Sequence, residues 1–310
     1  MGTVADTSAG QTNASYRARR WPGPDSSGYL LIAPAYAIYV VWVLVPMFLV
    51  VAISLTNFSF SGQWQWVGLS NYREMLNSET FAIALRNTVV YAVFTILPSL
   101  ILGLLLAVAL NRKIIGTSVF RQVYYYPNVV SFVAASVIWL WIYDPTNGLA
   151  NRALEAVGLP SLEWLHDPGL AMPALIVVGI WKGLGFNMVV YLAALQGVPR
   201  EIYESARVDG AREVDCLFRI TIPLIQPTTF FLLITGLIRG FEAFDLIFVM
   251  TGGGPANATT TLVHQAYLNA FFYQRFGLGA AISVFLLAVV ATVTLSNFRY
   301  GRQGQTTEVN

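Results

Sequence analysis

The sequence is short of charge. Only 11% of its 310 residues are Asp, Glu, Lys or Arg, less than half the roughly 25% of an ordinary soluble domain. Cysteine occurs once, at Cys216, and histidine twice, at His166 and His264. A lone cysteine excludes an intramolecular disulfide, and two isolated histidines in expected outer segments leave nothing for a His-rich metal site. Lys+Arg number 18 against 16 Asp+Glu, and a net charge of +2 is too even for a nucleic-acid binder. No Gly-x-x-x-x-Gly-Lys-Ser/Thr loop occurs, so the chain has no P-loop of its own. Neither a nucleophile–base pair nor a metal-ligand cluster marks an enzyme. What is abundant is apolar: 56% of residues are hydrophobic and the mean hydropathy is +0.60. The remaining class is an integral membrane protein.

Six stretches are long and apolar enough to cross about 30 Å of hydrocarbon as helices: Tyr29–Leu55, Asn87–Leu110, Val123–Ile142, Leu170–Leu195, Leu224–Met250 and Leu278–Asn297. The first is too long for a signal-peptide core and reads as a retained anchor. The expected organisation is a disordered tail over 1–28, rich in Ser, Thr, Ala and Gly, a membrane domain over 29–300 and a short tail over 301–310. In a six-span layout most cations fall on one side. They are Arg17, Arg19 and Arg20, then Arg112, Lys113 and Arg121, then Arg200, Arg207, Arg212 and Arg219, then Arg299 and Arg302. Positive loops stay inside, so both termini are expected in the cytoplasm. Trp64, Trp66 and Trp164 in the opposite loops read as interfacial anchors.

The loop between spans four and five, 198–223, is the most informative segment. Pro199 followed by Glu201 reads as a helix start, with Ile202, Ala206 and Val208 as an apolar stripe and Asp209-Gly210 as a turn. A second amphipathic helix carries Val214, Leu217, Phe218 and Ile220. Such a pair could simply rest on the membrane surface. Its spacing is more specific: Glu204-Ser205-Ala206, three residues, Gly210, nine residues, then Ile220-Thr221-Ile222-Pro223. This resembles the signature loop of ATP-binding-cassette importer permeases (Glu-Ala-Ala, three residues, Gly, nine residues, Ile-x-Leu-Pro), with Ser205 for an alanine and Ile222 for a leucine.

The resemblance implies the six-helix type I importer permease fold, all-α, in the plasma or inner membrane of a prokaryote. It implies that Glu201, Glu204, Ser205, Ala206, Asp209, Gly210 and Ala211 dock on a separate ATPase. The implied partners are a second related permease, two copies of the ATPase holding ATP and Mg, and an extracytoplasmic solute-binding protein. This chain would bind no cofactor and catalyse nothing itself. Phe244–Pro255, followed by Thr259-Thr260-Thr261-Leu262, is similar to the maltose-type carbohydrate permeases and implies a di- or oligosaccharide or a glycoside as substrate.

Polar residues at membrane depth are expensive and mark pathways or partners. Lys182 lies in Gly179–Met188, where Gly183 and Gly185 are expected to weaken span four midway. Trp181 and Phe186 offer aromatic faces to sugar C–H surfaces, and Asn187 offers a donor and an acceptor. The resemblance sets this segment on the sugar site, with Phe186 for a tyrosine, Gly179 for an asparagine and Lys182 for a leucine. Arg239 and Glu242 are three apart and suit either an intrahelical ion pair or, with Gly240, the pathway wall; Asn128 and Ser131 are further candidates for that wall. Two alternatives stand beside a sugar importer. In a glycerol-3-phosphate or glycerophosphodiester importer, Lys182 and Arg239 would serve the phosphate. An ion-coupled secondary transporter would have only Glu242 and Asp245 as intramembrane carboxylates.

Overall fold

The computed structural model describes residues 26–59, 64–111 and 116–303. The tail over 1–25, the last residues of the chain and the cations Arg17, Arg19, Arg20, Arg112 and Lys113 lie outside them. Two compact units meet in sequence after Phe48. The first holds α1 (Ser26–Tyr39), a π-helical turn (Val40–Leu44) and the start of α2 (Val45–Ser54), whose remainder belongs to the second; Leu31, Trp42 and Phe48 are exposed.

The second unit contains α3 (Ser70–Asn77), α4 (Glu79–Leu110), α5 (Thr117–Val129), α6 (Phe132–Ile142), α7 (Leu149–Ala156) and α8 (Ala171–Gln196). It continues with α9 (Arg200–Val208), α10 (Glu213–Cys216), α11 (Ile222–Leu224), α12 (Gln226–Phe241), α13 (Asp245–Met250), α14 (Leu262–Tyr267) and α15 (Phe276–Gln303). No strand occurs among the described residues beyond one bridge, Thr56 to Trp66.

Four helical stretches are long and apolar enough to cross a membrane: Leu31–Ser54, Glu79–Leu110, Ala171–Gln196 and Phe276–Ser296. Two bent pairs bring the number to as many as six. α4 starts well before the expected Asn87, because Ser78 Oγ accepts from Phe81 N (3.4 Å) and Glu79 occupies the first turn. The expected third span is not one helix: α5 and α6 meet at 102° across Val130-Ser131. The expected fifth is interrupted too, since α12 stops at Phe241 and α13 restarts at Asp245. At its other end, 213–224 meets α12 at 65°.

α8, by contrast, is continuous, so Gly183 and Gly185 do not break it. They are small because other helices cross there. A Cβ on Gly185 would stand 2.0 Å from the Tyr124 carbonyl of α5, and one on Gly183 would stand 3.0 Å from Ser99 Oγ of α4. Gly179 meets Tyr91 and Gly103 meets Asn187 in the same way. Such residues let membrane helices pack backbone to backbone. Around these crossings Ile96, Leu100, Met188, Leu192, Ile225 and Leu232 form a buried core.

The loop after α13 is tied to α4. Asn87 Nδ2 donates to the carbonyls of Asn257 and Thr260 (both 3.0 Å), and Leu262 N donates to Thr88 Oγ1 (3.0 Å). His264, expected to be isolated, is buried in α14 just beyond this loop, with Nδ1 3.0 Å from Thr260 Oγ1. Trp164 is held in place by its neighbours: its indole donates to Asn151 Oδ1 (2.8 Å) and its ring lies against Tyr143.

Two predictions follow from these contacts. Gly185→Ala should push α5 off α8 and cost about 1–3 kcal/mol, read as a lower melting temperature of the detergent-purified protein; an unchanged temperature refutes the close crossing. Burial lowers the pKa of His264 below its ordinary 6.5, so the unfolded chain takes up the proton first as pH falls. Stability should therefore drop below about pH 6.5 and level off under the folded-state pKa, and His264→Gln should flatten that slope.

Candidate functional site

A cavity of about 370 Å³ opens where α4, the α5–α6 bend, α8 and α12 meet, within the size range of small-molecule sites. Of the residues singled out from the sequence, Asn128, Ser131, Lys182, Gly183, Phe186, Asn187, Arg239 and Gly240 come together in its wall. Sequence reasoning missed the contribution of α4. Tyr91, Thr95 and Ser99 also line the cavity. They recur every four residues along the stretch of α4 after Thr88, which is otherwise apolar, a spacing that puts them on one face and could have revealed them.

Two expected residues lie elsewhere. Trp181 is not in the wall; its ring sits edge-on to Trp139 at 5.6 Å, because it leaves α8 on the side facing α6. Glu242 lines an adjoining cavity of about 150 Å³ with Asp245, and this shares Tyr91, Phe132 and Arg239 with the larger one.

Lys182 is the most committed polar group. It is only 5% exposed, and its Nζ donates to the carbonyl oxygens of Pro127 (2.8 Å), Asn128 (3.4 Å) and Val130. The Phe132 ring lies 4.6 Å below it. α5 ends here, and the bend strips its last carbonyls of helical partners. A cation at a helix C-terminus satisfies them and opposes the dipole. On the other side of the bend, Ser131 Oγ accepts from Ala134 N (3.2 Å) and caps α6. Lys182 and Ser131 therefore hold backbone rather than projecting free into a pathway.

Arg239 does not pair with Glu242 as the three-residue spacing allowed. Glu242 is the C-cap of α12, and both it and Arg239 line the adjoining smaller cavity. No ion pair joins them among the described residues. The guanidinium lies instead 4.7 Å over the Phe186 ring. Asn187 Nδ2 donates to Ser99 Oγ (2.6 Å), joining α8 to α4 across the cavity wall. No cluster of His, Cys, Asp or Glu suited to a metal occurs among the described residues.

The loop after α8 forms a second candidate surface. α9 closes with a Schellman motif: Gly210 N donates to Arg207 O (3.0 Å) and Ala211 N to Ala206 O (2.9 Å). Gly210 adopts φ +84°, the left-handed conformation this closure needs. Glu201 lies in the first turn, Glu204 and Ser205 are exposed, and Asp209 is the C-cap. Arg207 is engaged with Glu213 at 2.9 Å. Tyr203 OH, 3.0 Å from Thr221 Oγ1, ties α9 to the segment beyond α10. Val208 does not share the stripe of Ile202 and Ala206. It is 89% exposed, because six residues from Ile202 carry it to the opposite face.

Residues 33–302 match the family described as binding-protein-dependent transport system inner membrane component. The chain belongs to this family. Among curated relatives of this permease, YurN of Bacillus subtilis, a probable ABC transporter permease protein, is 33% identical over 89% of this chain and 96% of its own length. The sn-glycerol-3-phosphate transport system permease protein UgpA of Agrobacterium fabrum is 34% identical over 88% and 93%. The trehalose/maltose transport system permease protein MalF of Thermococcus litoralis is 32% identical over 89% and 93%. Among solved structures, a chain of a bacterial alginate ABC transporter, crystallised in complex with an alginate pentasaccharide-bound periplasmic protein, superposes with a TM-score of 0.81. It is 25% identical over 92% of the permease and 97% of itself.

Removing the Lys182 ammonium should cost this permease its bend. Lys182→Met leaves three carbonyls unpartnered at membrane depth, a loss of about 1–3 kcal/mol for each that stays unsatisfied; melting of the purified protein should fall, and Lys182→Arg should restore part of it. Equal melting of Lys182→Met and the parent would contradict the clamp.

Proposed function

We propose that this permease is a membrane-spanning subunit of an ATP-driven, binding-protein-dependent importer of a sugar, either a di- or oligosaccharide or a glycoside. The observation that carries the reading is the cavity at the crossing of α4, the α5–α6 bend, α8 and α12, which combines an aromatic face with amide, hydroxyl and cationic groups inside apolar helices. The trehalose/maltose and alginate relatives support a sugar. A second reading, an importer of glycerol-3-phosphate or a glycerophosphodiester, is favoured by the likeness to UgpA.

In the proposed arrangement six spans put both termini and loop 198–223 in the cytoplasm of a prokaryotic cell. A second, related permease completes the pathway. Two copies of an ATPase carry ATP and Mg, and an extracytoplasmic solute-binding protein delivers the sugar. α9 docks on the ATPase through Glu201, Glu204, Ser205, Ala206, Asp209, Gly210 and Ala211. Closure of the ATPase pair then moves α9 and switches the spans between inward- and outward-facing states.

Gly210→Val puts a β-branched residue where φ is +84°, a local cost of about 1–2 kcal/mol that unwinds the end of α9. Co-purification of the ATPase should fall several-fold, and deletion of 204–210 should abolish it while the permease still reaches the membrane. Stoichiometric ATPase on the deleted protein sinks the docking claim.

A further inference from the structure

The charges around the cavity do not balance. Its wall holds two cations, Lys182 and Arg239, and no Asp or Glu. They are not equivalent. Lys182 is spent on the carbonyls of Pro127, Asn128 and Val130. Arg239 has no carboxylate within ion-pair distance among the described residues. Its guanidinium lies over the Phe186 ring, and its side chain is exposed where it lines the cavity rather than packed into the core. Glu242 and Asp245 line the adjoining cavity, which Arg239 also lines, and neither forms an ion pair with it among the described residues.

An arginine at this depth needs a counter-charge. The planar guanidinium stacked on a ring keeps its N–H edge available, which suits two-point binding of a carboxylate or phosphate. The neighbouring groups suit hydroxyls: the Asn187–Ser99 pair, Thr95 and Thr235 line the same wall. We infer that the transported solute carries an acidic group, carboxylate or phosphate, which Arg239 binds, with hydroxyl-bearing carbons lying against α4 and α8. This deepens the reading of the cavity as the solute site and rests on it. It makes Arg239 the residue that discriminates acidic from neutral solutes, and Phe186 the platform that holds its fork in register.

The test uses the whole transporter, with its second permease and ATPase, in lipid nanodiscs. Equilibrium binding is measured for four probes: digalacturonate, its neutral counterpart galactobiose, glycerol-3-phosphate and glycerol. One acidic probe should bind at least tenfold more tightly than its neutral counterpart, and which one does separates carboxylate from phosphate. Arg239→Gln should weaken that probe about tenfold, and Arg239→Lys should retain part of the affinity. Both variants are compared at unchanged melting temperature and subunit content.

Tighter binding of a neutral probe, failure of both acidic probes to bind, or an acidic affinity indifferent to Arg239→Gln overturns the inference. So does loss of the second permease from the Arg239→Gln complex, which would show that the arginine pairs with that subunit. The importer reading fails on a different readout, the absence of ATPase from the wild-type complex. ATP-dependent uptake of a neutral sugar would preserve that reading while removing this inference.

Discussion

A helix cannot turn through 102° in hydrocarbon unless something replaces the hydrogen bonds it loses. Here that replacement is a single ammonium. Lys182 reaches from α8 to the carbonyls at the end of α5, and Ser131 caps the start of α6. The bend in turn brings Asn128, Val130, Ser131 and Phe132 to the wall of the cavity. Without it, α5 and α6 would run on as one rod and the wall would be missing a side.

The clamp works only because α5 lies close to α8. Gly185 permits that approach, since any side chain there would meet the Tyr124 backbone. Gly183 and Gly179 do the same for α4. Three glycines within seven residues would weaken an isolated helix by about 1 kcal/mol each, yet α8 is unbroken. Packing on two sides outweighs propensity, and it leaves the large residues of the same stretch, Phe186 and Lys182, to shape the site.

How much was legible in the sequence depends on the kind of signal. Apolar runs disclosed the class and the positions of α4, α8 and α15, because hydrocarbon demands length and little else. The turn at Gly210 was legible because a left-handed residue with no Cβ penalty has few substitutes. Eight of the ten residues proposed for the pathway meet in one wall, since charged and amide groups in a span have few places to go. What failed was local geometry. Spacing alone could not distinguish a glycine that breaks a helix from one that lets another helix touch it. It also could not decide between the two readings of Arg239 and Glu242, an intrahelical ion pair or the wall of the pathway. Nor did it expose that Lys182 would be consumed by backbone, because the acceptors lie more than fifty residues away in the chain.

The elbow of 65° between 213–224 and α12 joins the surface loop to the wall of the cavity. Its pivot, Ile225, is 2% exposed and seated in the core. One arm is joined to α9 by the contact of Tyr203 with Thr221. The other arm is α12, about 24 Å long at 1.5 Å per residue over its 16 residues, and it carries Arg239 in its last turn. The far end of that arm is seated against α4, where a Cβ on Gly240 would stand 3.0 Å from Ala92 Cβ, so the surface loop, the core at Ile225 and the Arg239 wall of the cavity are linked by one bent helical path.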